Sequence, residues 1–477
     1  MPLLPSPGIV AGDLVKDLPK LQTVSTWPAA ALVISNMIGI GIFTSLGYQI
    51  AAFTTADGAS QLGNHVFPIM MLWLLGGALA LCGALCYAEL ATALPRSGGE
   101  YNFLSRIYHP AVGFCTGLTS TTIGFAAPIA VSAVSFGEYF CKAFPACAQL
   151  LPHFDRWLAF ALVTIATAAH LRSIRFSGGF QTLTTAITVL LILSFVVFGF
   201  GNAHAQPISF VPHASDGPLF LGAAFWSSLI WVMYSYSGWN AASYIAGEVR
   251  NPGKALPRAL ILGTGFVIVL YATITAAFLY TTPMSVLSGK REVADLAGGY
   301  IFGATGDHVA NALICVGLVA NVSAMMWIGS RVSQAIGSNY PVLSLLARTT
   351  PRGIPFVAVL VQYAITASLV AFDPGAVVTY VESVLFFWSL LAVVGVIVLR
   401  MREPNLPRPY RAWGYPVTPI LFALVALVCL VQTCIRHPVE TTIGAITVLV
   451  GLPIYWYASR TTGENPVLRN TLPEHLL

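Results

Sequence analysis

The sequence predicts an all-α integral membrane protein with twelve membrane-spanning helices. Of its 477 residues, 56% are hydrophobic and 9% are charged, whereas about a quarter of a soluble domain is charged. Long apolar runs recur along the whole chain, and each approaches the roughly 20 residues that cross a bilayer as a helix. The short alternating segments of a membrane β-barrel do not occur in the sequence. A soluble enzyme is therefore excluded as the bulk of the chain.

Twelve apolar runs divide the sequence between two polar tails. The N-terminal tail, residues 1–26, has no apolar core and does not resemble a cleaved signal peptide. We expect helices one to five within residues 27–202, six to ten within 218–400, eleven and twelve within 401–459, and a second tail at 460–477. The spans are centred near residues 40, 80, 126, 162, 190, 232, 269, 321, 362, 387, 425 and 448.

Lysine and arginine predict the orientation, because positively charged loops are retained in the cytoplasm. By these boundaries, 18 of the 23 basic residues lie on the side of both tails, which we therefore expect to be cytoplasmic. The net charge of +5 accordingly reflects membrane topology and affinity for lipid, and no nucleic-acid partner is expected. The exceptions are Lys142, Arg156, Lys290, Arg291 and Arg436.

Two spans carry glycine or serine where a continuous helix would be expected. The first is "MIGIGIF" at residues 37–43, and the second is "WVMYSYSGWN" at residues 231–240. From Trp27 to Ile38 is about 18 Å of helix, roughly half of the hydrocarbon thickness, and the second break lies at a similar depth. The breaks are five spans apart, so their helices run in opposite directions. Paired discontinuous helices of this kind form the binding site in transporters with inverted repeats.

A broken helix exposes charged backbone ends at mid-membrane. We expect free carbonyls near residues 35–38 and free N–H groups at Ile40 and Gly41. The second break offers the carbonyls of Tyr234, Ser235 and Ser237. Carbonyls favour a cation and N–H groups an anion, so a small zwitterion would satisfy both sets. The alternative interpretation is that the glycines are kinks or close helix contacts.

The motifs at both breaks resemble those of amino-acid permeases of the amino acid/polyamine/organocation superfamily. "GEVRNPGKALPRAL" (247–260), "YAELATALPRSGGEY" (87–101), "GSRVSQAIGSNYPVLSLL" (329–346) and "LRMREPNLPRPYRAWGYPVTPI" (399–420) are similar to further signatures of that group. "HPVETTIGAITVLVGLPIYW" (437–456) is most similar to its L-type branch, which comprises the light subunits of heteromeric transporters and their bacterial relatives. The resemblance implies a LeuT-like fold, with two inverted five-helix repeats and two peripheral helices.

The resemblance also implies site residues. The Met37 carbonyl would join the N–H groups of Ile40 and Gly41 in holding the substrate backbone, and Tyr234 falls where the family has an aromatic gate. Many relatives have serine in place of Ile40, which a main-chain contact should tolerate. Relatives with proton or sodium-like coupling often have a lysine where this sequence has Thr188. Lysine-based coupling is therefore not expected.

Further candidates lie on the spans around this site. A sodium ion held by carbonyls of span one and the Ser323 hydroxyl is an alternative to plain exchange. Glu382, in span ten, is either a coupling or substrate-facing carboxylate or a group in a wet vestibule. Ion pairs of Glu89 with Arg96 and of Glu248 with Arg331 would either close the cytoplasmic side or anchor loops. The pocket candidates are Ile123, Trp239, Asn321, Phe386, Phe387 and Trp388.

These observations predict a secondary transporter of neutral L-amino acids in the plasma membrane, working by alternating access and exchange. The alternatives are a transporter of cationic amino acids or polyamines, in which Glu382 would face the substrate, and an integral-membrane enzyme. No metal or cofactor is expected, because neither metal-ligand spacing nor a nucleotide loop occurs in the sequence. Cys141 and Cys147 could form a disulfide or remain free. Cys147 also lies in the loop through which eukaryotic heteromeric members bind a partner subunit.

Overall fold

A computed structural model describes residues 23–55, 60–172, 174–201, 205–303, 306–372 and 374–460. These residues form helices joined by short loops and contain isolated β-bridges but no strand. The predicted all-α class is confirmed. The first half of the chain contains α1 Thr26–Met37, α2 Gly41–Ala52, α3 Phe67–Ala93, α4 Glu100–Ile107, α5 Pro110–Thr119, a π-helix Ser120–Gly124, α6 Ala126–Ala143, α7 Pro145–Ala148, α8 Phe154–His170 and α9 Ile174–Phe200.

The second half of the chain begins with a short helix and the second broken span. It contains α10 Asp216–Leu221, α11 Ala223–Ser235, a 3₁₀-helix Ala241–Glu248, α12 Pro252–Thr281, α13 Met284–Leu287, α14 Val293–Phe302, α15 Gly306–Asn339, a 3₁₀-helix Pro341–Ala347, α16 Phe356–Leu369, α17 Pro374–Arg402, α18 Val417–Arg436 and α19 Pro438–Arg460.

Nine helical stretches among the described residues are long and apolar enough to cross a membrane. The other three predicted spans coincide with α8, α11 and α16, which have 17, 13 and 14 residues and are shorter than a full crossing. In α11 the reason is the break itself, which divides the apolar run. The count of twelve spans therefore stays a prediction.

The broken helices lie at the centre of the bundle. The most apolar window of residues 26–52 is 89% buried inside the protein, whereas that of α19 is 11% buried. α1 packs against α12, α9 and α15, and α2 packs against α11. α19 packs mainly against α5 and α17 and leaves large apolar side chains such as Leu449 exposed. The surface of α19 therefore fits contact with lipid, and the first span forms the core.

The two ends of the bundle differ in charge. We call the end that carries Val24, Arg96, Arg331 and Arg400 the basic end, and the other the opposite end. The chain enters α1 at the basic end, where Val24 and Glu248 are joined by a backbone hydrogen bond of 3.0 Å. α1–α2 thus runs away from the basic end, and α11 with its 3₁₀-helix runs toward it. The two broken spans are antiparallel, as predicted.

Candidate binding site at the two helix breaks

The first break is confirmed. α1 ends at Met37 and α2 begins at Gly41, and Ile38 has a non-helical ψ of 81°. The amide of Gly39 donates to the Met37 carbonyl at 2.8 Å, which forms a tight turn in place of the helical ladder. The first N–H groups of α2, among them that of Gly41, have no acceptor one turn back in the helix. The positive end of a helix therefore lies in the middle of the protein.

The second break is also confirmed but lies slightly later in the sequence. α11 ends at Ser235, turns occupy residues 236–240, and the following segment is a 3₁₀-helix rather than an α-helix. Gly238 has a φ of +104°, a conformation that side chains rarely adopt. A Cβ at Gly238 would also lie 2.5 Å from Nδ2 of Asn36. Glycine is therefore required here by conformation and by space.

The two breaks contact each other directly. The Asn36 side-chain amide donates to the Gly238 carbonyl at 3.2 Å, and the hydroxyls of Ser45 and Ser235 are 3.0 Å apart. A Cβ at Gly41 would lie 2.9 Å from the Cα of Ser235. Gly41 is thus a point of close contact between two helices, which was the alternative interpretation of the sequence. This contact does not prevent its amide from binding a ligand.

Side chains satisfy the backbone carbonyls at the end of α1. The Tyr271 hydroxyl donates to the Met37 carbonyl at 2.6 Å. The Asn321 amide donates to the carbonyls of Ser35 at 3.0 Å and Asn36 at 3.1 Å. Asn321 is buried and also accepts from Ser132, so it supports the unwound backbone instead of presenting a free amide to a pocket. Tyr271 was not identified from the sequence.

Asn36 is a second residue that the sequence reasoning missed. Its side chain is 6% exposed, and its Oδ1 is buried without a hydrogen-bond partner among the described residues. An unpaired buried acceptor costs about 1–3 kcal/mol, so a donor from a ligand would be favoured there. The signal was an asparagine one residue before "MIGIGIF", at the carbonyl end of a half-helix.

A small cavity adjoins the second break. It measures about 40 Å³, which is room for only a few water molecules, since one needs about 10–15 Å³ of such space. An amino acid therefore requires side chains around it to move. Four of the predicted residues line the cavity, namely Tyr234, Ser237, Trp239 and Phe386, together with Met233, Leu385, Ser389 and Phe422.

Three other pocket candidates, Ile123, Phe387 and Trp388, are not among the residues that line this cavity. Ile123 is in the π-helix of the third span, a rare element that is frequent at functional sites. A Cβ on its neighbour Gly124 would lie 3.5 Å from Leu385, which lines the cavity. Trp388 is buried with its ring 4.9 Å from that of Phe387. Glu382 lies on α17, and its side chain is outside the described part of the chain.

A glutamine of α9 lies between α1 and α15, next to the Ser323 hydroxyl that was considered as a sodium ligand. Gln181 of α9 donates from its amide to Ser35 Oγ at 2.5 Å and to the Ala320 carbonyl at 3.2 Å. Its Oε1 accepts from Ser323 at 2.9 Å. The sequence pointed instead to Thr188 on the same helix. Its hydroxyl is buried and, among the described residues, donates only to the carbonyl of residue 184 at 2.9 Å.

His170 completes this polar cluster between α8, α9 and α15. Its ring nitrogens lie 3.0 Å from the hydroxyls of Ser177 and Ser323. The ring is buried inside the protein, although His170 is the last residue of α8. The hydroxyl of Ser323 is thus shared between His170 and Gln181.

Two ion pairs were predicted at the basic end, and one is confirmed. Arg331 Nε lies 2.5 Å from Glu248 Oε1, with both side chains largely buried. The pairing of Glu89 with Arg96 is wrong. Glu89 binds Arg400 at 2.6 Å and, at 3.4 Å, Arg408, because the segment after α17 folds back over the end of α3.

The sequence reasoning also missed an ion pair at the opposite end. Lys142 lies 3.3 Å from Asp295 and 3.5 Å from Glu292, joining α6 to α14 and the residue before it. Cys141 and Cys147, nearby, are both free thiols. The ion pair at the basic end is therefore largely buried, whereas Lys142 and Glu292 at the opposite end are exposed to water.

Comparisons with known proteins identify the family. The amino acid permease model matches residues 24–455. The mouse (Mus musculus) b(0,+)-type amino acid transporter 1 is 26% identical over 435 residues, covering 89% of this chain and 85% of the mouse protein. The serine/threonine exchanger SteT of Bacillus subtilis is 26% identical over 433 residues, covering 90% and 94%. The human (Homo sapiens) large neutral amino acids transporter small subunit 2 is 25% identical over 438 residues, covering 90% and 78%.

The family match covers most of the chain, including both breaks and the cavity. Its members are permeases rather than enzymes. Together with the apolar helices, these findings establish that the chain is a multi-pass membrane protein of the amino acid permease family.

Proposed function

We propose that this protein is a secondary transporter that exchanges neutral L-amino acids across the plasma membrane by alternating access. The observation that carries the proposal is the contact between two antiparallel broken helices in the core. The N–H groups of Ile40 and Gly41 would hold the substrate carboxylate. The Asn36 Oδ1 and the carbonyls of Tyr234, Ser235 and Ser237 would hold the ammonium group.

The side chains of the cavity support a neutral substrate. Those lining it are apolar, aromatic or hydroxyl-bearing, and none is charged. A cationic substrate would bury an ammonium or guanidinium group there without a counter-ion, which is costly. Phe386 and Trp239 favour an apolar or small polar side chain, and an apolar pocket discriminates aliphatic side chains by only about 1–3 kcal/mol per methylene.

Exchange without sodium is supported by Gln181. Its amide occupies the acceptors on α1 and α15 that a sodium ion would need, namely Ser35 Oγ and the Ala320 carbonyl. The Ser323 hydroxyl is likewise engaged by Gln181 and His170. A neutral amide that donates to the same oxygens would keep α1 and α15 together throughout the cycle.

The proposed cycle uses twelve spans in a LeuT-like arrangement. Residues 27–202 and 218–400 would form inverted repeats, 401–459 two peripheral helices, and 1–26 and 460–477 cytoplasmic tails. The basic end would then face the cytoplasm. The antiparallel course of the two broken spans supports this division. Membrane lipid would contact α18 and α19, and a partner subunit would be expected only in a heteromeric member.

The test is exchange by purified protein in liposomes. Vesicles loaded with one amino acid should take up labelled leucine, alanine or serine, with no requirement for a sodium gradient. Asn36→Leu should weaken binding severely, whereas the exposed Asn64→Leu should not. Failure with all of the common neutral amino acids, or unchanged affinity in Asn36→Leu, would overturn the proposal.

A further inference from the structure

A buried carboxylate at the basic end has no role in the proposed binding site. Glu100 is the first residue of α4 and is 4% exposed. Its Oε1 accepts from the Tyr87 hydroxyl at 2.6 Å and from the Asn240 amide at 2.9 Å. Its Oε2 accepts from the Tyr244 hydroxyl. All three donors are neutral.

No cation balances this carboxylate among the described residues. The neighbouring carboxylates Glu89 and Glu248 each form an ion pair with arginine, whereas Glu100 forms none. A buried carboxylate without a cation is costly and tends to take up a proton instead. The titratable or charged residues at the basic end of α3, α4 and the loop between them, α5, α15, α17 and the 3₁₀-helix after the second break include Tyr87, Cys86, Glu89, Arg96, Tyr101, Arg106, His109, Cys115, Tyr244, Glu248, Arg331, Arg400 and Arg402.

Among the described residues, the arginines of this set form no ion pair with Glu100. Arg106 pairs with Glu403 at 2.8 Å, and Arg402 donates to the Ile107 carbonyl at 2.6 Å. Arg96 lies in the loop before α4, and burial lowers its pKa. Desolvation, the largest effect, raises the pKa of Glu100, and the hydrogen bonds from its neutral donors offset only part of that rise. The environment of Glu100 therefore makes its carboxyl group hold a proton more readily than a glutamate in water does.

The donors of Glu100 lie on two segments of the chain that contact each other at the closed basic end. Tyr87 is on α3, whereas Asn240 and Tyr244 follow the second break. The segment after the break is held to the loop before α4 by two further bonds. The Gly98 amide donates to the Tyr244 carbonyl, and the Gly247 amide donates to Ser97 Oγ, both at 3.0 Å. If this segment moves away, Glu100 loses two of its three donors and gains water.

We propose that Glu100 is a proton-binding site that is loaded when the basic end closes and emptied when it opens. The proton comes from water at that end and binds a carboxylate oxygen. The opening motion belongs to the proposed transport cycle, and the proton site can be tested without transport.

The sign of the linkage follows from the direction of the shift. The closed form has the raised pKa, so it binds the proton more tightly than the open, hydrated form, whose carboxyl should titrate near the ordinary value of about 4.3. The contribution of Glu100 to closure is fully present below the open-form pKa. It is lost as pH rises through the closed-form pKa. Acid therefore favours the closed basic end.

The first experiment detects the proton directly. The infrared spectrum of the purified full-length protein should show the carbonyl band of a protonated carboxyl at a pH where exposed carboxyls are ionised. The band should be absent in Glu100→Gln and present in Glu403→Gln, a half-exposed carboxylate at the same end. Tyr244→Phe removes one donor, so its band should persist to higher pH. An unaltered spectrum in Glu100→Gln, or no such band in the unmodified protein, would refute the proton site.

The second experiment measures closure. A Cβ at Gly247 would lie 3.8 Å from Ser97 Cβ, within the 3.5–4.5 Å typical of disulfides. The rate of cross-linking in Ser97→Cys/Gly247→Cys is compared with the rate in the same pair carrying Glu100→Gln, which cancels the pH dependence of the thiols. The cross-linking rate with Glu100 intact, divided by the rate with Glu100→Gln, should be near one in acid and should fall as pH rises. A ratio that stays constant across pH would refute the linkage to closure while leaving the proposed transport function intact.

Discussion

The basic end should open when the ion pair between Glu248 and Arg331 is broken. In Glu248→Gln, Arg331 keeps its charge, and its side chain is 5% exposed in the closed form. The glutamine can still accept from Trp327, which now donates to Glu248 at 3.3 Å. Ser330 Oγ also still accepts from Arg331 at 3.1 Å. The variant therefore removes a charge while keeping most of the local shape.

The size of the effect follows from burial. Removing one partner of a buried pair costs about 3–5 kcal/mol when the other charge stays buried. Glu248 is 14% exposed and the amide replaces part of its bonding, so we expect about 2–3 kcal/mol against the closed form. Since 1.4 kcal/mol is a factor of ten, the open population should rise roughly 30- to 150-fold.

Hydrogen exchange measures this shift at amides that are bonded across the closure. The amides of Val24, Gly98 and Arg250 bond to Glu248, Tyr244 and Val24, respectively, so they exchange when the end opens. The matched control is Glu403→Gln at the same end, whose pair with Arg106 is 26% exposed on both sides. Because water reaches both partners of this pair, we expect it to contribute at most about 1 kcal/mol, so the effect of its loss should stay below about fivefold. If hydrogen exchange at these amides rose equally in the two variants, the buried pair would not be what keeps the basic end closed.

Three further outcomes are expected. Gln181→Leu leaves the Ala320 carbonyl and the Ser323 hydroxyl without their partner, so it should lower the melting temperature by several degrees. The control Gln334→Leu, at a half-buried position on α15, should not. Equal melting temperatures in the two variants would show that the Gln181 amide is dispensable. Gly41→Ala should lower the melting temperature of the substrate-free protein, since the new Cβ would clash with Ser235. A normal melting temperature together with a loss of amino-acid exchange would instead assign Gly41 to ligand binding. Lys142→Gln should raise hydrogen exchange at the opposite end less than about fivefold, because that pair is exposed; a larger rise would contradict the estimate.

The helices and the breaks were predictable because single-residue properties decide them. The thickness of the bilayer sets the length of each apolar run, and Gly39, Gly41 and Gly238 weaken the helix in which they occur. The 3₁₀ geometry after the second break was not predictable. It depends on contacts with the loop before α4, such as the bond from Gly247 to Ser97, and these are tertiary.

Contacts between residues far apart in the sequence were not predictable. Glu89 was assigned to Arg96 because the two are seven residues apart, but its partner Arg400 is 311 residues away. Asn321 was assigned to the pocket for the same reason, since the carbonyls that accept from its amide lie on α1. Nearest-neighbour reasoning along the sequence is valid within one helix and fails between helices.

The missed residues share a physical cause. Breaking a helix in the core of a membrane protein leaves carbonyls and N–H groups that water cannot satisfy, so the fold must supply side chains for them. Asn321 and Tyr271 satisfy carbonyls of α1, whereas Oδ1 of Asn36 is left over. A substrate ammonium group that binds this oxygen would recover the cost of leaving it unpaired. The break thus creates the demand for polar partners, and the part that the protein leaves unmet is available to the ligand.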